Sequence, residues 1–80
     1  MTVKAYLLIK TDTRRVKEVV SALKRVEEVE SADPVTSPYN VIAVLENVHL
    51  ANFHDLLTNK IQCIPYISKI NSCLCLSNLA

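Results

Sequence analysis

The chain has 80 residues, half of them apolar and 21% charged, with a net charge of +1 and no glycine. That length leaves room for a single domain, and the apolar content with so little net charge excludes a disordered chain and gives no electrostatic reason for nucleic acid as the main partner. Without glycine there is neither a glycine-rich phosphate loop nor a dinucleotide fingerprint, because both need backbone that only glycine adopts freely.

Val3–Lys10 (VKAYLLIK) is apolar enough for a central strand. The side chains of Thr11, Asp12 and Thr13 suit the cap of a following helix, since their oxygens accept from the free N–H groups of a first turn. Val16, Val19, Val20, Leu23 and Val26 then recur at the spacing of one helix face, which predicts an amphipathic helix ending near Glu28. Val29–Thr36 reads as a second strand, placed at a sheet edge because Pro34 cannot donate to an inner ladder. Ser37-Pro38 marks a turn, and Tyr39–Leu45 is a third strand, apolar on both faces. A second helix follows, capped by Asn47 or His49, with Leu50, Phe53, Leu56, Leu57, Ile61 and Ile64 on its buried face and Pro65 as its stop. A fourth strand covers roughly Ser68–Ser77.

The order β-α-β-β-α-β predicts an α+β, ferredoxin-like fold: a four-stranded antiparallel sheet with both helices on one face. Such a fold leaves the other face bare, and a second sheet packed against it, as in a dimeric α+β barrel, is the expected cover. Charge distribution agrees. The first 30 residues hold 12 of the 17 charged side chains, and from Ile61 to Ala80 the only one is Lys69. A core of this size supplies only ~3–5 kcal/mol alone, a second reason to expect association.

Side chains with chemical potential are few. Cys73 and Cys75 point the same way if they lie on one strand, but a soft metal needs further ligands, and only Cys63, His49 and His54 are available. The cysteines read as small apolar core residues, so no metal and no cofactor is expected. His49 and His54 lack a nucleophile and an orienting partner, so no catalytic residue is assigned. Arg14, Arg15, Lys17, Lys24 and Arg25 alternate with Asp12, Glu18, Glu27 and Glu28, the pattern of a solvated helix face. The run Ala5–Ile9 is too short for a signal core or a membrane span, and the three cysteines form no disulfide framework; a cytoplasmic protein is expected.

Three segments resemble the ligand-binding (RAM) domain of the Lrp/AsnC leucine-responsive regulator family. They are Val3–Ile9 as first strand, Val35-Thr36-Ser37-Pro38-Tyr39-Asn40 at the family's V-T-G-x-Y-D turn, and Lys60–Ile67 (KIQCIPYI) where the family shows K-I-x-x-I-P-G-V. The resemblance covers nearly the whole of residues 1–80, read as one effector-binding and oligomerisation domain without a DNA-binding domain, since the first strand begins at Val3. It implies a homodimer that rings into an octamer or similar assembly, an amino-acid-like small effector, and co-assembly with full-length regulators, with no direct contact to nucleic acid or membrane. It places ligand contacts at Thr36, Ser37, Pro38, Tyr39 and Asn40, and at Ser72 in the last strand, where the family often has two threonines and this chain has Ile70 and Ser72. Ser37 and Tyr66 stand where the family has glycine, and Asn40 where it has aspartate, which removes a charge suited to an ammonium group. The rival reading is a small monooxygenase-like enzyme of the same barrel architecture, which requires His49 or His54 in one closed pocket with Tyr39 or Asn40.

Overall fold

A computed structural model describes residues 2–75 of the chain. The elements are β1 (Thr2–Thr11), α1 (Val16–Lys24), β2 (Val29–Pro34), β3 (Val41–His49), α2 (Phe53–Leu56) and β4 (Ile67–Leu74). The strands form one antiparallel sheet in the order β2-β3-β1-β4, which is the expected ferredoxin-like topology. Pro34 does lie on an edge strand, and Val3–Lys10 does lie in the centre.

Alternation along β1 explains the two faces. Val3, Ala5, Leu7, Ile9 and Thr11 are buried toward the helices, while Thr2, Lys4, Tyr6, Leu8 and Lys10 point the other way and are exposed or half-buried. Leu7, Ile9, Val41, Ala43 and Leu45 on the inner strands pack with Val19 and Leu23 of α1 and with Leu56, Ile61 and Ile64 of the second helical segment. On the open face, register places Ile42 beside Leu8 and Val44 beside Tyr6, giving a half-exposed apolar band.

Asp12 is the cap, as its residue type suggested: its carboxylate accepts from the Arg14 backbone N–H at 3.0 Å. The same N–H, then the Arg14 guanidinium, hold the Asp12 carboxyl below its usual range. The first turn, Thr13–Arg15, is 3₁₀, and α1 stops at Lys24, four residues short of the expected end. The physical reason is the pair Glu27 and Glu28, whose negative charge is unfavourable at the negative end of a helix. The chain turns instead through Val26 N–H to Leu23 C=O, at 3.0 Å.

The second helical segment differs most from expectation. It opens with a 3₁₀ turn (Leu50–Asn52), runs through α2 and widens to a π turn over Leu57–Ile61, closed by Gln62 N–H to Leu57 C=O at 2.8 Å. The wider turn lets Leu56 and Ile61, five residues apart, both reach the sheet. Leu50, expected on the buried face, is 46% exposed because it belongs to the entering 3₁₀ turn. His49 occupies the cap position but its side chain makes no capping bond there, and Asn47 lies inside β3, at a bulge opposite Lys4 with φ of 57°. That bulge carries β3 on to His49, four residues past the expected end. The expected end of β4 at Ser77 lies outside the described residues.

Lys60, in the π turn, reaches Glu28 after α1 at 3.1 Å and holds that carboxyl below its ordinary value. A carboxyl lowered on folding stabilises above its unfolded pKa and loses the contribution as pH falls through the lower, folded value. With 31% of the Glu28 side chain exposed, the pair contributes about 0.2–1 kcal/mol. In Lys60→Met the Glu28 titration followed by NMR is expected to move up, with less stability lost between neutral pH and pH below about 4. An unchanged Glu28 titration in that variant would assign the shift to another cause.

Candidate functional site

The turn between β2 and β3 is built by backbone geometry and one side chain. Val35 N–H donates to Asn40 C=O at 2.9 Å, and Asn40 N–H donates to Ile9 C=O at 2.9 Å. Beyond the last ladder pair, Ile9 with Val41, the Asn40 side chain takes over: its Oδ1 accepts from the Thr11 N–H at 2.9 Å. That bond ties the turn to the end of the central strand. The Ser37–Pro38 peptide is cis.

Thr36, Ser37 and Pro38 are exposed, and Tyr39 and Asn40 half-buried. The Tyr39 hydroxyl is hydrogen-bonded to Asn71 of β4. Asn71 pairs with Leu8 and so lies on the open face, next to Lys69, which faces Lys10. Ser72 pairs with Leu7 instead, which puts it on the helix side of the sheet, exposed because β4 is an edge strand. The structure thus joins Tyr39 and Asn40 to Asn71 and Thr11 and sets Ser72 across the sheet from them. Asn71 was legible only through the β1–β4 register, in which Leu8 and Asn71 share a face.

Other candidates sit apart. His49 pairs with Thr2 at the far end of β3, roughly 30 Å from Asn40 at 3.3 Å per residue. His54 is exposed on α2, which packs on the helix side of the sheet, opposite the face where Tyr39 meets Asn71. Cys63 and Cys73 are exposed and Cys75 half-buried, not core residues, because the first follows the π turn and the others belong to the edge-strand end. Among the described residues no group of three His, Cys, Asp or Glu side chains is placed to hold a metal. An open groove of about 710 Å³ lies between α1 and the end of β2, lined by Val16, Val20 and Pro34 with Arg14 and Lys17 at its rim. Its polar groups are helix-surface charges, whereas at the turn the Asn40 amide and the Tyr39 hydroxyl are tied by hydrogen bonds to Thr11 of β1 and Asn71 of β4, the more specific arrangement.

Tyr66 is exposed at φ of 75°, and its carbonyl accepts from Asp12 N–H at 3.0 Å. The Arg15 guanidinium lies over its ring, 5.1 Å from the centroid, and pairs with Glu18 at 2.8 Å. These contacts fasten the start of β4 to the start of α1.

Among the described residues no helix is long and apolar enough to cross a membrane. A search of the curated proteins gives no match. Fold and turn together have the form of a small regulatory ligand-binding domain, and the sequence pattern of the Lrp/AsnC ligand binding domain matches residues 4–80. The chain belongs to that family. Protein PHS023 from Pyrococcus horikoshii is 27% identical, with a TM-score of 0.85 over 92% of this chain and 89% of that one. AsnC of E. coli is similar in fold at 22% identity, with a TM-score of 0.87 over 98% of this chain and 53% of that one. The feast or famine regulatory protein Rv3291c from M. tuberculosis, solved with L-methionine, is 21% identical, with a TM-score of 0.77 over 94% of this chain and 50% of that one. The chain therefore spans about half the length of these last two regulators.

Proposed function

We propose that this domain seats a small amino-acid-like effector at the Thr36–Asn40 turn and assembles through the open face of its sheet, as a cytoplasmic module without catalytic activity. The observation that carries the reading is the turn itself. Its backbone is pinned to β1 through Asn40 and its tyrosine is linked to β4 through Asn71, so polar groups of the connection and of β4 are held together beside the exposed Thr36–Pro38. Membership of a ligand-binding family and the bound L-methionine of a regulator with the same fold support the effector class. The apolar band on the open face supports a homodimer, from which a ring such as an octamer, or a mixed assembly with full-length regulators, follows by repetition. In this role the domain senses and assembles.

Isothermal titration with the twenty amino acids and with small carboxylic acids carrying the same side chains tests the effector, alongside sedimentation for assembly. Heat from at least one compound and a dimer or larger species are expected. No heat from any compound removes effector sensing; a monomer at every concentration removes assembly.

A further inference from the structure

We infer that the turn recognises its ligand through a carboxylate and not through an ammonium group, so that the effector is a small carboxylic acid without an amino group, an α-keto acid being the nearest in shape to an amino acid. The inference rests on the reading of Thr36–Asn40 as the effector site and specifies which end of the ligand meets it.

The argument begins with the orientation of one amide. An asparagine side chain has an accepting oxygen and a donating NH₂. The Thr11 backbone N–H can only donate, so the Asn40 atom that faces it at 2.9 Å must be the oxygen. Turning the amide over would set N–H against N–H beside the buried Thr11 and leave a donor unmet. Oδ1 has a second lone pair but no charge, whereas Nδ2, which has no partner among the described residues, offers a ligand an unused donor. An NH₂ donor accepts no hydrogen bond from an ammonium group; it donates to a carboxylate or a carbonyl oxygen.

The charges nearby have the matching sign. Lys10 and Lys69 face each other on adjacent strands on the open side, and neither is in an ion pair among the described residues. Like charges directly opposite are unfavourable in a sheet, and an anion between them relieves that. The carboxylates that would favour an ammonium group are elsewhere or committed. Asp12 accepts from the Arg14 N–H and guanidinium, and Glu46, toward the other end of β3, pairs with Lys4 at 3.4 Å. Asp33, opposite Ile42 on β2, is the acidic group on this face that the test must control.

The test compares matched pairs by isothermal titration: L-methionine against its α-keto acid, and L-leucine against its α-keto acid. In the unaltered protein the keto acid of at least one pair is expected to bind about tenfold or more tightly than its amino acid. Asn40→Asp keeps an oxygen for Thr11, so the fold stands, and supplies an anion; it is expected to reverse the preference. Asp33→Asn is expected to leave the preference unchanged. Equal or tighter binding of the amino acids by the unaltered protein overturns the inference, and a loss of that binding in Asp33→Asn would assign ammonium recognition to Asp33. Binding of amino acids by Asn40→Asp alone also overturns it, while leaving the turn as the effector site. Failure of both members of every pair, in the unaltered protein and in Asn40→Asp, removes the effector site itself and the inference with it.

Discussion

Val44→Asp is expected to turn the self-associated protein into a monomer. Val44 lies between Tyr6 of β1 and Ser31 of β2 on the open face, half-buried in the single chain. Four strands about 4.8 Å apart and eight residues long at 3.3 Å each give a face of roughly 500 Å², or about 1,000 Å² for a facing pair. That area is at the small end of stable interfaces, so little surplus affinity is available to absorb a penalty. A carboxylate in the middle of the face is too short to reach water at the rim, and a two-fold assembly buries two of them. Each buried charge costs several kcal/mol, enough to lower the association constant by at least about a thousandfold. Sedimentation velocity should show the monomer at concentrations where the unaltered protein is larger. An unchanged sedimentation coefficient would move the interface away from the sheet.

Leu7→Ala should unfold a large fraction of the protein or bring its urea midpoint down sharply. Leu7 is fully buried in the central strand. Truncating such a leucine costs about 2–5 kcal/mol in lost transfer energy and cavity formation. A domain of this size has a total stability of only about 4–12 kcal/mol. Leu50→Ala, at a leucine equally apolar in sequence but nearly half exposed, should cost far less, about 0.5 kcal/mol. Similar urea midpoints for the two variants would mean that the 3₁₀ turn holding Leu50 is packed in solution.

The contrast between these leucines shows what was legible in the chain. The continuous apolar run of β1 and the period-3.6 spacing of α1 are strong signals because each runs through a whole element, and Pro34 marks its own edge. One helical spacing carried from Leu50 to Ile64 puts Leu50 on the buried face, whereas the segment passes through three helical geometries with different spacings. No residue in it signals the widening at Leu57, with which both Leu56 and Ile61 are buried against the sheet. The end of β3 differs for a related reason: Asn47 suits a helix cap, yet in the structure Glu46-Asn47 is a bulge that continues the strand. At the candidate site, Tyr39 and Asn40 were visible as turn residues, but the Asn40 oxygen's bond to Thr11 spans 29 positions and depends on strand order. The same holds for Asn71, which faces Tyr39 only once the β1–β4 register fixes its side of the sheet.

The two left-handed residues, Asn47 and Tyr66, bear on the chain before it folds. Most proteins place glycine at such positions and accept a more freely jointed unfolded chain in return. This sequence has no glycine anywhere, so its denatured ensemble samples fewer backbone states, and less entropy is lost on folding. The steric cost falls on the native state at two defined points. At Asn47 it is small, because asparagine tolerates the left-handed region. At Tyr66 it is larger, and it is offset by the Arg15 guanidinium over the ring and the bond from Asp12 N–H to its carbonyl. Folding of this domain is thus favoured from the unfolded side, by a chain with fewer conformations to give up.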